Sequence, residues 1–207
     1  MSKFYPVYLD IRGKMCVIVG GGKVAFRKAC SLQDAGANVV VVSPDICGEL
    51  EKQQGLTVVK KRYEEPLIDN AFLVIAATDN EEVNRKVAAD AEKRNIMVNV
   101  ADSPELCSFT VPATIKRGDL CISISTGGAS PAFAKNIRRE VEDLFGPEYE
   151  VYVNLLAKMR TLALSNVKDE SKRRKILQQF AEKHFLETVK TKGVEKAEAE
   201  MRKVIFE

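Results

Sequence analysis

Met15-Cys16-Val17-Ile18-Val19-Gly20-Gly21-Gly22-Lys23-Val24-Ala25 decides the fold. Five apolar residues, two of them Val and one Ile, read as a buried strand that stops at a glycine run. A helix pattern follows at once, with Ala25, Ala29 and Leu32 on one face and Gly36 as its C-terminal stop. The junction fits G-x-G-x-x-[GA]: Gly20 allows the tight turn, Gly22 lets the main chain approach a pyrophosphate, and Ala25 keeps the helix close to the sheet. The amides and dipole of such a helix N-terminus favour phosphate charge. A glycine loop set between strand and helix therefore points to a bound dinucleotide, against the alternative of a turn without ligand.

Working outward, strand and helix signals alternate through the first hundred residues. Val39–Val42 is a second strand, ended by Ser43-Pro44. Leu56–Val59 and Phe72–Ala77 read as further strands, Glu81–Arg94 as a helix, and Met97–Val100 as the last strand of the series. Continuous apolar strands alternating with helices imply a parallel sheet covered on both faces, the α/β Rossmann-type arrangement. Beyond Pro104 the pattern changes. Phe109–Ile115 and Leu120–Ser125 form an expected antiparallel hairpin joined at Lys116–Asp119 and appended to one edge of the sheet. Thr126-Gly127-Gly128-Ala129-Ser130-Pro131 then opens a helix to about Leu144, and Gly146-Pro147 is the clearest boundary in the chain. The remainder reads as three helical segments, built on Val153, Leu156 and Leu162, on Ile176, Phe180 and Phe185, and on Val194, Ala197, Met201 and Val204. The expected division is 1–113 for the nucleotide-binding domain, 114–146 for a small α+β segment, and 147–207 for a helical C-terminal domain.

Composition narrows the classes. A hydrophobic fraction of 45% supports a folded core, and no run reaches the length of a membrane span. Met1–Pro6 has no leader-like apolar stretch, so the expected location is the cytoplasm. Five scattered cysteines and a single histidine give a zinc site little to build on, so no metal ligands are assigned; Cys16 and Cys121, inside apolar runs, are expected as buried thiols. A net charge of +3 gives no argument for nucleic acid.

The nucleotide site has one irregularity. The acidic residue expected after the second strand, where ribose hydroxyls bind, is replaced by Ser43. Asp45 or main-chain groups of Ser43–Asp45 can substitute, although Asp45 beside Pro44 reads equally well as a helix N-cap. The absence of Lys and Arg from Ser43-Pro44-Asp45-Ile46 favours NAD over NADP.

Six blocks occur in order: Tyr5-Pro6-Val7-Tyr8-Leu9, Val19–Ala25, Ala76-Ala77-Thr78-Asp79, Asn99-Val100-Ala101-Asp102, Phe109-Thr110-Val111-Pro112-Ala113 and Ser125–Pro131. Together they resemble the precorrin-2 dehydrogenase family, which includes the N-terminal part of siroheme synthase. The resemblance is dense to about residue 145 and thin afterwards. It implies oxidation of precorrin-2 to sirohydrochlorin with NAD as hydride acceptor, toward siroheme or cobalamin, and in some members insertion of ferrous iron. It implies a homodimer, with the segment after the nucleotide domain supplying the contacts. It also puts Lys23 and Val24 amides on the pyrophosphate, Pro44 and Asp45 along the ribose, Thr78 beside the cofactor, Asp102 in catalysis, and Ser125 or Thr126 near the tetrapyrrole.

Residue chemistry bears on these roles separately. Hydride loss from a reduced tetrapyrrole is accompanied by proton loss, and a carboxylate beyond the end of a central strand is placed to act as general base. Asp102 meets that description, though Asp102-Ser103-Pro104 is also an ordinary turn sequence. Asp79-Asn80 reads as a possible cap of the next helix. A polycarboxylate substrate needs cations: Lys135 and Arg138, with Gly127 at the anion-binding helix start, are the candidates, against a solvated face paired with Glu140 and Glu142. Lys172–Lys175 and His184 read as surface residues. The competing class is a nucleotide-sensing Rossmann module without chemistry, which would need no acid at Asp102.

Overall fold

The computed structural model describes residues 4–207; Met1–Lys3, part of the N-terminal stretch in which no leader is expected, lie outside the described residues. The chain divides into two compact units, Met1–Val111 and Pro112–Glu207.

The first unit contains five parallel strands, β1 (Met15–Val19), β2 (Asn38–Val42), β3 (Thr57–Val59), β4 (Leu73–Ala76) and β5 (Met97–Val100), in the order β3-β2-β1-β4-β5. Side chains alternate between two faces because successive strand residues point in opposite directions. Cys16, Ile18, Val39, Val41, Leu73 and Ile75 pack on one side with Ala25, Ala29 and Leu32 of helix α1 (Lys23–Asp34). Val17, Val19, Val74, Ala76, Val98 and Val100 pack on the other with Val87, Ala88 and Ala91 of helix α3 (Glu81–Lys93). Two covered faces explain why β1, β4 and most of β2 read as apolar runs. Between β2 and β3 lies only the short helix α2 (Gly48–Lys52). Gly36, at φ +80, follows α1 where an L side chain would be strained, and ends the helix as expected.

The free edge of β5 is sealed by the chain that follows it. Ser108 accepts from Val98 N through Oγ at 2.8 Å and donates its own N–H to Val98 O at 2.9 Å; Cys107 Sγ accepts from Val100 N at 3.1 Å. An edge strand satisfied in this way offers no template for another chain. The segment Phe109–Pro112, expected as strand, is irregular instead, and β6 begins only at Ala113.

In the second unit β6 (Ala113–Arg117) and β7 (Leu120–Ile124) pair antiparallel as a separate two-stranded sheet, not as an extension of the parallel one. Arg117 lies opposite Leu120, so Lys116 and Arg117 belong to the strand and the turn is Gly118-Asp119, with Gly118 at φ +57 as a tight hairpin requires. Helix α4 (Pro131–Leu144) follows, then α5 (Glu148–Asn166), α6 (Glu170–Phe180), α7 (Lys183–Lys192) and α8 (Val194–Phe206). The expected middle helical segment is therefore two helices. Tyr152 donates its buried hydroxyl to Phe180 O, a carbonyl at the end of α6, which helps fix the break. Phe180, Phe185, Met159 and Met201 centre a core made by α5–α8.

Cys16 is fully buried, and burial pushes its thiol up to about 11; Cys121 is only half-buried, because the thin second sheet covers it less than expected. Among the described residues no helix is long and apolar enough to cross a membrane. Nor does any group of three or more His, Cys, Asp and Glu side chains stand where it could hold a metal ion.

Candidate functional site

Four strands of the first unit end level with one another: Val19 is in register with Val42 and with Ala76, and Ala76 with Val100. The chain turns from β1 toward β2 on one side and later returns through β4 on the other, so the order reverses between β1 and β4. In open α/β sheets ligands bind at that reversal, outside the carboxyl ends of the strands. Gly20–Lys23, Ser43–Asp45, Ala77-Thr78 and Ala101-Asp102, nearly all the nucleotide-site and catalytic candidates, follow these four ends.

The three glycines do different work. Gly20 is buried at φ +132, donates its N–H to Val42 O at 2.9 Å, and lies so close to β4 that a Cβ would meet Ala77 O at 2.3 Å. At Gly21 a Cβ would meet Asp45 O at 1.9 Å, and its carbonyl accepts from Cys47 N at 2.8 Å, which folds the segment after β2 against the loop. Gly22 is exposed, and a Cβ there would have nothing within 4 Å. It is also the N-cap of α1, without a side-chain cap and with no acidic residue in the first turn. The first amides of a helix have no intrahelical acceptor. Here α1 starts from an exposed glycine without a side-chain cap, with the amides of Lys23 and Val24 at the positive end of the helix dipole, and this arrangement fits a pyrophosphate.

Ser43 is buried, with its Oγ directed to the glycine loop, where it would lie 2.8 Å from a Gly21 Cβ. Pro44 and Asp45 are exposed. The N-cap of α2 is Cys47, so Asp45 is not a cap; its backbone is held against Gly21 instead. Thr78 is fixed by a residue that sequence reading missed. Asn84, buried on α3, donates Nδ2 to Thr78 O at 3.0 Å and accepts from Thr78 N at 3.2 Å; its Oδ1 lies 2.8 Å from Thr78 Oγ1. A polar Asn early in an amphipathic helix, on its buried face, was the available signal. The cap of α3 is Asn80 and not Asp79: Asn80 Oδ1 accepts from Val83 N at 3.1 Å.

Asp102 is exposed and sits at φ +60, just past β5 and next to Ala101, whose N–H reaches Ala76 O at 2.8 Å. The left-handed conformation is one that Asp and Asn tolerate better than most residues. Asp102 is therefore both a turn residue and a carboxylate at the mouth of the sheet.

In the second unit, the loop before α4 is organised by its hydroxyls. Ser125 Oγ accepts from Gly127 N at 3.1 Å, Thr126 Oγ1 from Ser130 N at 3.0 Å, and Ser130 Oγ caps Phe133 N at 3.2 Å. Gly127 and Gly128 take φ +64 and +90. Lys135 is exposed, whereas Arg138 is committed to Glu142 at 2.6 Å. Arg117 donates to Phe145 O at 2.8 Å. His184 is exposed, as expected, and lies on Phe185.

Residues 7–113 match a family model described as "Putative NAD(P)-binding", and residues 117–144 match one described as "Sirohaem biosynthesis protein central". A siroheme synthase of Chromobacterium violaceum is 37% identical over 206 residues, covering 98% of this chain and 44% of that protein. One of Methylobacillus flagellatus is 42% identical over 147 residues, 70% of this chain and 32% of that protein. The chain thus spans less than half the length of these relatives. Among solved structures, a precorrin-2 dehydrogenase, SirC, superposes with a TM-score of 0.81 at 27% identity, covering 97% of this chain and all of that one. With its nicotinamide-dinucleotide domain matched over more than half its length, the chain belongs to the precorrin-2 dehydrogenase family, to which these siroheme synthases are related.

Proposed function

We propose that this chain oxidises precorrin-2 to sirohydrochlorin with NAD as acceptor, on a route to siroheme or cobalamin. The observation that carries the reading is the convergence of the uncapped α1 N-terminus, Thr78 and Asp102 at the ends of β1, β4 and β5 in a chain that aligns throughout with a precorrin-2 dehydrogenase. When bound, the nicotinamide accepts a hydride from the substrate. Lys23 and Val24 hold the pyrophosphate through main-chain N–H groups. Asp45 and the main chain at Ser43 and Pro44 meet the ribose, and the absence of any cation from Ser43–Ile46 favours NAD. Thr78, locked by Asn84, borders the nicotinamide end of the crevice. Asp102 takes the proton that leaves with the hydride, so the substrate loses two hydrogens and no oxidant beyond the dinucleotide is consumed.

Substrate carboxylates are met by Ser125, Thr126, Gly127 and Lys135, with Arg138 available on exchange from Glu142. The segment 114–146 pairs two copies as a homodimer. What supports this is its thin cover: Leu120, Ile122, Ile124, Ile137 and Val141 are half-exposed, and Phe133 and Leu144 are exposed. The protein acts in the cytoplasm, without nucleic acid or membrane. Anaerobic incubation of the purified chain with precorrin-2 and NAD, following sirohydrochlorin absorbance, tests the reading; adding ferrous or cobaltous ion afterwards tests for chelation.

A further inference from the structure

We propose that Cys107 is a positioning residue for the oxidation: its thiol closes the turn that carries Asp102 and so sets where that carboxylate stands at the mouth of the sheet. The role rests on Asp102 being the group that takes the proton. Beyond Asp102 the chain returns to β5 through a single 3-10 turn, Pro104–Leu106, and Cys107 follows it. That return brings the half-buried thiol against both ends of the Asp102 turn.

At the near end, Val100 donates its N–H to Cys107 Sγ at 3.1 Å. Val100 is the buried last residue of an edge strand, so a neighbouring strand does not supply this acceptor. At the far end, Sγ stands 3.3 Å from Ser103 O and 3.4 Å from Val100 O, and its one hydrogen goes to either carbonyl. Asn99 Nδ2 donates to the same sulfur at 3.5 Å. The main chain closes the turn through Ser103 N to Val100 O at 3.4 Å, longer than the usual range of about 2.7–3.2 Å. Asp102 sits inside this closure at φ +60. A non-glycine residue keeps such a backbone only where its surroundings over-determine it. The sulfur supplies that constraint, gripping the residue before Ala101 and the residue after Asp102. With an apolar side chain at this position the Val100 N–H loses its acceptor, the turn hangs on its long bond, and the carboxylate is free to swing. Misplacing a reacting group by about 1 Å can cost about 100-fold in rate. A thiol that only protected the strand edge would affect stability and leave the rate alone.

The test is a double-variant cycle on the full chain: wild type, Cys107→Ala, Asp102→Asn and the two combined. Each is assayed for anaerobic turnover of precorrin-2 with NAD, and for NAD affinity by calorimetry. Cys107→Ala should lower kcat about 10- to 100-fold and leave NAD affinity within about twofold. In the Asp102→Asn background the same change should cost nothing further, because the two residues act as one unit. Cys107→Ser, which keeps a donor and an acceptor, should restore most of the turnover. Cys107→Val fills the space without accepting a hydrogen bond, so it should reproduce the kinetic defect even where the alanine variant is too unstable to assay. Wild-type kcat in the alanine or valine variant, with only the melting temperature lowered, overturns the inference. So does an equal further loss in the Asp102→Asn background. Both results leave the dehydrogenase reading standing. Wild-type turnover in Asp102→Asn overturns Asp102 as the base, and this role of Cys107 with it.

Discussion

Asn84 holds Thr78 at three points, through its backbone N–H, its backbone carbonyl and its hydroxyl, and so ties the loop after β4 to the first turns of α3. Because Asn84 is buried, removing its amide takes the partner from the Thr78 N–H and carbonyl, while the hydroxyl keeps its bonds to the Asn80 main chain. Asn84→Ala is expected to cost about 1–3 kcal/mol in denaturant unfolding. It should also weaken dinucleotide binding, since the loop borders the crevice. Unchanged stability together with unchanged affinity would show that the amide contributes to neither.

Gly20 and Gly22 separate folding from binding. A methyl at Gly20 collides with Ala77 O at a backbone angle that L residues avoid, so Gly20→Ala should lower the melting temperature strongly. Gly22→Asp acts in the opposite sense. Its Cβ enters open space, and Asp is a preferred N-cap where α1 has no side-chain cap. The melting temperature should hold or rise while NAD binding is lost, because the new carboxylate occupies and repels the pyrophosphate position. Thermal melts and calorimetry on both variants check the contrast; NAD affinity retained in Gly22→Asp would remove the glycine loop from cofactor binding.

Asp102→Asn is a cleaner test of catalysis than Asp102→Ala, because the residue sits at φ +60. Asn accepts that conformation, whereas Ala adds strain of about 1–2 kcal/mol. Loss of a general base should lower turnover by about 100- to 10,000-fold with NAD affinity preserved. Wild-type turnover in Asp102→Asn would leave the residue with its turn alone.

Pairing of two copies through residues 114–146 predicts a dimer in sedimentation equilibrium. Phe133→Glu, which places a charge at an exposed apolar site on α4, should shift that dimer toward monomer. A wild-type chain that sediments as a monomer at micromolar concentration would contradict the assembly.

The parallel sheet was legible because burial on both faces leaves β1, β4 and Val39–Val42 of β2 as apolar runs bounded by turn residues. The glycine loop was legible because its residues are adjacent in sequence. What stayed hidden depends on partners far apart in the chain. Asn84 gains its role only when α3 packs beside the β4 loop. Asp45 looked like a cap by residue type, yet the N-cap of α2 is Cys47, because cap geometry is fixed by the backbone entering the helix; the cap expected at Asp79-Asn80 is there, supplied by Asn80. The break between α6 and α7 likewise involves a hydroxyl from α5, which no local pattern announces.

The central claim is that a hydride leaves the tetrapyrrole for the dinucleotide on this chain. Its most direct measurement is the anaerobic stoichiometry of NADH formed to sirohydrochlorin formed, with wild-type protein and with Gly22→Asp. Equal amounts of the two products from the wild type, and neither from the variant, are the predicted result. Binding of NAD with no NADH produced from precorrin-2 would contradict the account and identify the chain as a nucleotide-binding module without this chemistry.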